Sequence, residues 1–127
     1  MIRLLSIEDQ PDIQTILKLT LEASGRFEVD AADNGADGIA AALESQPDAI
    51  LLDFSLPDMN GLEVLDLLKN EARTTHIPVI LLTAMTQSAE VETCRARGAI
   101  DALIKPFNPR TLAQQVETLL QAHRSNS

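Results

Sequence analysis

Short apolar runs alternate along this chain with longer segments in which apolar positions recur every three or four residues. Residues 1–7 are largely apolar and read as a buried strand. Pro11 suits the first position of a helix, where the amide it lacks would have no partner. Ile13, Ile16, Leu17, Leu19, Thr20 and Leu21 then carry the helical period up to Gly25. Residues 27–32 alternate as a second strand, and Asn34 followed by Asp37 marks the start of an alanine-rich helix ending before Pro47.

Ala49, Ile50, Leu51 and Leu52 form a continuous apolar strand that Asp53 stops. Turn formers follow at Ser55, Pro57, Asp58, Asn60 and Gly61. Asn60 with Glu63 repeats the capping pattern, and Leu62, Val64, Leu65, Leu67 and Leu68 fill a third helix. Residues 77–82 are the next apolar strand, ending at Thr83, and a more polar helix is predicted over 87–97, closed by Gly98. A short fifth strand over 100–104 ends at Lys105 and Pro106. Asn108 and Pro109 then open a last helix through Leu112, Val116, Leu119 and Leu120, and the polar tail 123–127 is expected to fray.

Strands alternating with helices from end to end predict an α/β fold, a parallel sheet of five strands with helices on both faces. The unbroken apolar character of the third and fourth strands agrees, because such strands are buried on both sides. Ligands of these sheets bind beyond the carboxyl ends of the strands, at the point where the strand order reverses.

The length of 127 residues fits one domain, placed at 1–123 with a polar tail at 124–127. At 45% apolar residues the chain can build a core. A net charge of −9 argues against direct binding to DNA or to an anionic membrane, while suiting a site that holds a cation. The single cysteine, Cys94, excludes an intrachain disulfide, and ordinary helix packing is its expected role. Glu8 and Asp9 interrupt any signal-peptide stretch, and the apolar runs are too short to span a bilayer, so the expected location is the cytoplasm.

The predicted strand ends carry a short, coherent set of groups: Glu8 and Asp9 after the first, Asp53 after the third, Thr83 after the fourth, Lys105 after the fifth. Taken singly, each has a plain structural reading as helix start, turn former, turn hydroxyl or surface charge. Together at one rim, three carboxylates invite a hard cation with oxygen ligands. A hydroxyl and an ammonium facing them complete a site for a transferable phosphoryl group, whose chemistry needs mostly positioning and charge neutralisation. The nucleophile would be a carboxylate. The histidines, His76 in a polar loop and His123 in the tail, are read as solvated, so the chain receives phosphate and does not donate it.

The segments LLSIEDQPDI, ILLDFSLPDMNGLEVL, PVILLTA and GAIDALIKPF, in this order, resemble the receiver domains of two-component response regulators (CheY-like) over about residues 2–122. The resemblance implies a flavodoxin-like five-stranded sheet in the order 2-1-3-4-5. It implies that Asp53 takes a phosphoryl group from a sensor histidine kinase or a histidine phosphotransfer protein. Magnesium would be held by the Asp9 and Asp53 side chains and the Ser55 backbone carbonyl, with Glu8 assisting through water. Lys105 would pair with Asp53 and then with the phosphoryl oxygens, Thr83 would turn its hydroxyl toward them, and the Lys105–Pro106 bond would be cis. Such a domain is a signalling module that catalyses only its own phosphorylation and dephosphorylation. Its downstream protein target would bind the face of the fourth helix, fifth strand and fifth helix, and phosphorylation-dependent homodimers are a further state the resemblance allows.

The family usually has an aromatic residue three positions before the lysine, and here Ala102 stands there. Signalling is therefore expected to rely on the loop after Thr83, including Ala84 and Met85. Ser55 and Met85 flank the site at positions that often tune phosphoryl lifetime. A haloacid-dehalogenase-type phosphatase would need an aspartate where Ser55 stands. A flavodoxin-type cofactor site would need a Ser/Thr/Gly-rich loop where Glu8 and Asp9 stand. A receiver-like interaction module that is never phosphorylated is the remaining alternative. The residues contain no output domain, which leaves a stand-alone regulator, a relay intermediate and part of a longer regulator all open.

Overall fold

A computed structural model of the chain describes residues 1–84 and 89–125. Strands β1 (Ile2–Ile7), β2 (Phe27–Ala32), β3 (Ala49–Asp53), β4 (Val79–Thr83) and β5 (Asp101–Ile104) alternate with helices α1 (Pro11–Ala23), α2 (Gly35–Ser45), α3 (Gly61–Lys69), α4 (Ala89–Ala96) and α5 (Leu112–Ser125). The strands form one sheet in the order β2-β1-β3-β4-β5, with every adjacent pair parallel. The order reverses between β1 and β3, as expected.

Successive apolar side chains of the central strands enter two different cores, one on each face. Leu5, Ile7, Ile50, Leu52, Val79 and Leu81 pack with Ala42, Val64, Leu65, Leu68 and Cys94 from α2, α3 and α4. Leu4, Ala49, Leu51, Ile80 and Leu82 pack with Leu17, Leu21, Leu112, Val116 and Leu120 from α1 and α5. This double burial is why β3 and β4 are written almost wholly in aliphatic residues. Cys94 is fully buried, and burial is the main cause that pushes its thiol pKa up, which suits a packing role.

Several boundaries differ from the sequence expectation. The apolar positions Ile77 and Ile100 lie outside their strands, because Ile77 N donates to Thr74 O to close a turn and Ile100 N donates to Val79 O ahead of β5. The last helix opens at Leu112 rather than at Asn108 and Pro109. Asn108 Oδ1 accepts from Arg110 N and its carbonyl accepts from Thr111 N and Leu112 N, so this segment is spent on a turn before the helix. Helix α5 continues through Ser125, and His123 and Arg124 in its last turn carry the charge type that favours a helix C-terminus. The predicted start of the fourth helix at Gln87, and Met85, lie outside the described residues. The Lys105–Pro106 bond is cis.

The segment joining β3 to α3 is closed at its base by a bridge between Ser55 and Asn60 and by a 2.6 Å hydrogen bond from Gly61 N to Phe54 O. Asn60 then caps α3 in a reciprocal box with Glu63. A Cβ on Gly61 would lie 2.7 Å from Phe54 Cα, backbone against backbone, so only glycine fits here without moving the loop. Gly61→Ala is expected to lower stability by about 1–3 kcal/mol, the usual cost of overpacking. Urea unfolding measures this directly, and an unchanged midpoint would refute it.

Candidate functional site

The parallel register brings the strand-end residues together. Ile7 lies opposite Leu52, so the next residue of β1, Glu8, reaches the level of Asp53 at the end of β3. Thr83 lies opposite Ile104, and Lys105 N donates to Thr83 O at 2.9 Å, which sets the lysine one step beyond β5. Asp9, Gln10, Asp53, Phe54, Ser55, Thr83, Ala84, Glu90 and Lys105 line a cleft of about 410 Å³ at this rim.

Lys105 Nζ is the hub of the cleft. It donates to Glu8 Oε1 at 2.6 Å and to Asp53 Oδ1 at 3.1 Å. Asp53 Oδ1 also accepts from Ser55 N at 3.3 Å, and Glu8 Oε2 accepts from Gln10 N at 3.3 Å. Glu8 is fully buried, Asp53 is 5% exposed, and Asp9 remains accessible to solvent. One carboxylate oxygen from each of Glu8, Asp9 and Asp53 lies within 4.8 Å of the others.

Three carboxylates against one ammonium leave negative charge uncompensated. Burial, together with hydrogen bonding to Asp53, raises the Glu8 pKa from 4.5 to about 7, even though Lys105 pulls it down. Burial works against the Lys105 ammonium, but hydrogen bonds to Glu8 and Asp53 outweigh it and raise its pKa above the usual lysine value. The donor set fits a hard divalent cation: oxygen-only ligands, closely spaced, short of positive charge, with Asp9 open to the cleft.

All six residues singled out from the sequence lie at this rim; Lys105 touches Glu8 and Asp53, and Thr83 lines the same cleft. The contact that sequence reasoning missed is the shorter arm of the lysine, to Glu8 rather than to Asp53. Also missed were Glu90 of α4, which adds a further acid to the cleft wall, and Asp58. The Asp58 carboxylate accepts from Gly35 N at 2.8 Å and Ala36 N at 2.9 Å, tying the loop after β3 to the N-terminus of α2. These partners are 23 and 22 residues away, so no local spacing could reveal them. His76 is exposed in the turn before β4, and His123 sits in the last turn of α5, both away from the cleft.

Residues 4–117 match the family described as response regulator receiver domain. The chain is 35% identical over 120 residues to protein PilH of Pseudomonas aeruginosa, covering 94% of this chain and 98% of that one. It is 38% identical over 119 residues to the DNA-binding dual master transcriptional regulator RpaA of Synechocystis sp., covering 94% of this chain but 49% of that protein. It thus spans about half the length of RpaA. Among solved structures it resembles the receiver domain of sensor histidine kinase PA1611 from Pseudomonas aeruginosa, determined with a magnesium ion coordinated in the active site cleft. The TM-score is 0.83 at 28% identity, over 94% of this chain and 98% of that one.

The raised Glu8 pKa has a definite sign in stability. Between pH 4.5 and about 7 the folded chain keeps a proton that the unfolded chain has released. This contribution is therefore present below about pH 4.5 and lost as pH rises toward 7. With divalent ions chelated, stability from this group should fall by up to about 3 kcal/mol across that window. Denaturant unfolding at pH 5 and pH 7.5 should show the fall in the wild type and a flatter profile in Glu8→Gln. Equal slopes in the two proteins would contradict the assignment.

Proposed function

The chain belongs to the response regulator receiver domain family, and from that premise we propose that it accepts a phosphoryl group on Asp53 from a phosphohistidine donor. The observation that carries this reading is the meeting of a nearly buried Asp53 with Lys105 Nζ at 3.1 Å, inside an open cleft shared with Asp9 and Thr83. A carboxylate needs no general base, so the absence of a histidine at the cleft is no obstacle. In the transfer, an Asp53 oxygen forms a bond to phosphorus as the phosphorus–nitrogen bond of the donor breaks. The imidazole leaves with the electron pair and takes up a proton from solvent.

Magnesium is the cofactor in this reading. Asp9 and Asp53 would hold it by their side chains, Ser55 by its backbone carbonyl, and Glu8 would assist through water; when bound it would neutralise charge on the phosphoryl oxygens. Lys105 is placed to exchange part of its pairing with Asp53 for a phosphoryl oxygen while keeping Glu8. Thr83, at the end of β4, offers a hydroxyl from the opposite wall. Hydrolysis returns the aspartate when water attacks phosphorus and the acyl phosphate bond releases phosphate. The chain acts on no other substrate, and its donor is a sensor histidine kinase or a histidine phosphotransfer protein.

The signal leaves through protein contacts on the face of α4, β5 and α5. Ala102 on β5 brings no ring to that face, and a groove of about 540 Å³ lies there between β5 and α5, lined by Ala102, Thr111, Gln115 and Leu119 among others. The loop after Thr83, expected to carry the change, includes Ala84 and continues into Met85, which lies outside the described residues. Residues 1–123 form this receiver unit, and among the described residues no helix is long and apolar enough to cross a membrane. The other reading, a receiver-like module that binds partners without phosphorylation, has no observation in its favour that the first lacks.

Incubation with acetyl phosphate and magnesium should add the mass of one phosphoryl group to the intact chain. Omitting magnesium or introducing Asp53→Asn should abolish the gain. A chain that binds magnesium yet gains no mass, from acetyl phosphate or from a phosphorylated histidine phosphotransfer protein, would instead support the interaction-only module.

A further inference from the structure

Ser6 is a fully buried hydroxyl among the apolar residues Leu4, Leu5 and Ile7 near the end of β1. It faces the helix α1 side of the sheet, by the alternation that sends Leu4 to the same face. Its partner is Gln14, one turn into α1: Ser6 Oγ donates to Gln14 Oε1 at 2.8 Å. The amide nitrogen of the same side chain donates to Ser6 O at 3.0 Å, Glu8 O at 3.0 Å and Ala32 O at 2.9 Å. Three carbonyls can only accept, so the nitrogen must face them, and the hydroxyl of Ser6 is left to satisfy the oxygen. Two amide hydrogens serve three acceptors, so one is shared.

These acceptors mark the place where β1 and β2 end and the chain turns into the cleft. Ala32 O also receives Glu8 N at 3.0 Å, so Glu8 is held through both its amide and its carbonyl. Its carboxylate is fixed by Lys105 and Gln10 N. Asp9 follows directly, on the short connection that Gln14 spans. Gln14 ties the two strand ends and the helix together through one side chain.

We propose that Gln14 is a positioning residue for the cation site: it holds the Glu8–Asp9 turn in the geometry that the metal requires, touching neither metal nor phosphoryl group. This rests on the magnesium-dependent receiver reading above. Groups one step removed from metal ligands typically alter metal affinity by about 10- to 100-fold when removed. Gln14→Met keeps the volume and helix propensity of the side chain and removes every hydrogen bond. Ser6→Ala removes only the bond that orients the amide.

The test is magnesium affinity by isothermal titration calorimetry on the folded proteins, with unfolding midpoints recorded alongside. Gln14→Met should weaken magnesium about 10-fold or more. Ser6→Ala should weaken it about fivefold, the scale of one hydrogen bond. Leu120→Ala, in the α5 core away from the cleft, should lower the midpoint and leave affinity within about twofold, which separates positioning from general stability. If Gln14→Met proves too unstable to titrate, Ser6→Ala decides: an affinity equal to wild type would overturn the proposal. Wild-type affinity in a folded Gln14→Met would overturn it too. A wild-type chain with no saturable magnesium binding would instead overturn the reading on which the proposal rests, and the proposal with it.

Discussion

One ammonium group serves two buried carboxylates, and this shortage of positive charge is the constraint around which the cleft is built. Lys105 stands 2.6 Å from Glu8 and 3.1 Å from Asp53, with Asp9 close by. Charges taken this far out of water are tolerated only when paired and hydrogen-bonded. Without a further cation, a proton on Glu8 is the cheapest remedy, which is what its raised pKa expresses. With a divalent ion the same imbalance becomes affinity. A site of this kind is held short of neutrality by the fold, so that whatever completes it is bound firmly.

Such a cluster is stable only on a scaffold that does not yield. The sheet supplies this, because β3 and β4 are buried on both faces and their ends cannot drift without opening two cores at once. The loops that carry the remaining groups are pinned individually. Asp58 ties the segment after β3 to α2, the close approach at Gly61 sets its base, and Gln14 braces the turn after β1. Asp58 and Gln14 each join residues of separate elements through a polar side chain, and Gly61 acts through the close approach of two backbones. These exceptions to the apolar pattern gather at the functional rim.

The face proposed above for partner contacts carries several surface ion pairs. Helix α4 buries only Val91 and Cys94 among its described residues. It is tied outward by ion pairs, Arg95 to Asp101 on β5 at 2.6 Å and Arg97 to Asp66 on α3 at 2.7 Å. Exposed pairs of this kind contribute little to stability. Helix α4 adjoins the cleft through Glu90.

The pattern along the chain determined the fold class, the order of elements and the rim on which chemistry stands, because period and strand-end position are local properties. Asp53, Lys105, Asp9 and Glu8 were legible because they interrupt apolar runs at the end of a strand. Local signals also mislead where tertiary contacts compete: Asn108 and Pro109 look like a helix start but form a turn, and Ile77 is buried without joining β4. Only the tertiary structure decided that Lys105 lies closer to Glu8 than to Asp53, that Asp58 caps a helix 22 residues before it, and that Gln14 serves three backbone carbonyls. The physical reason is the same in each case. Hydrogen bonds and ion pairs depend on tenths of an ångström between segments distant in sequence. Burial within a strand or helix follows mainly from which face of that element a residue occupies.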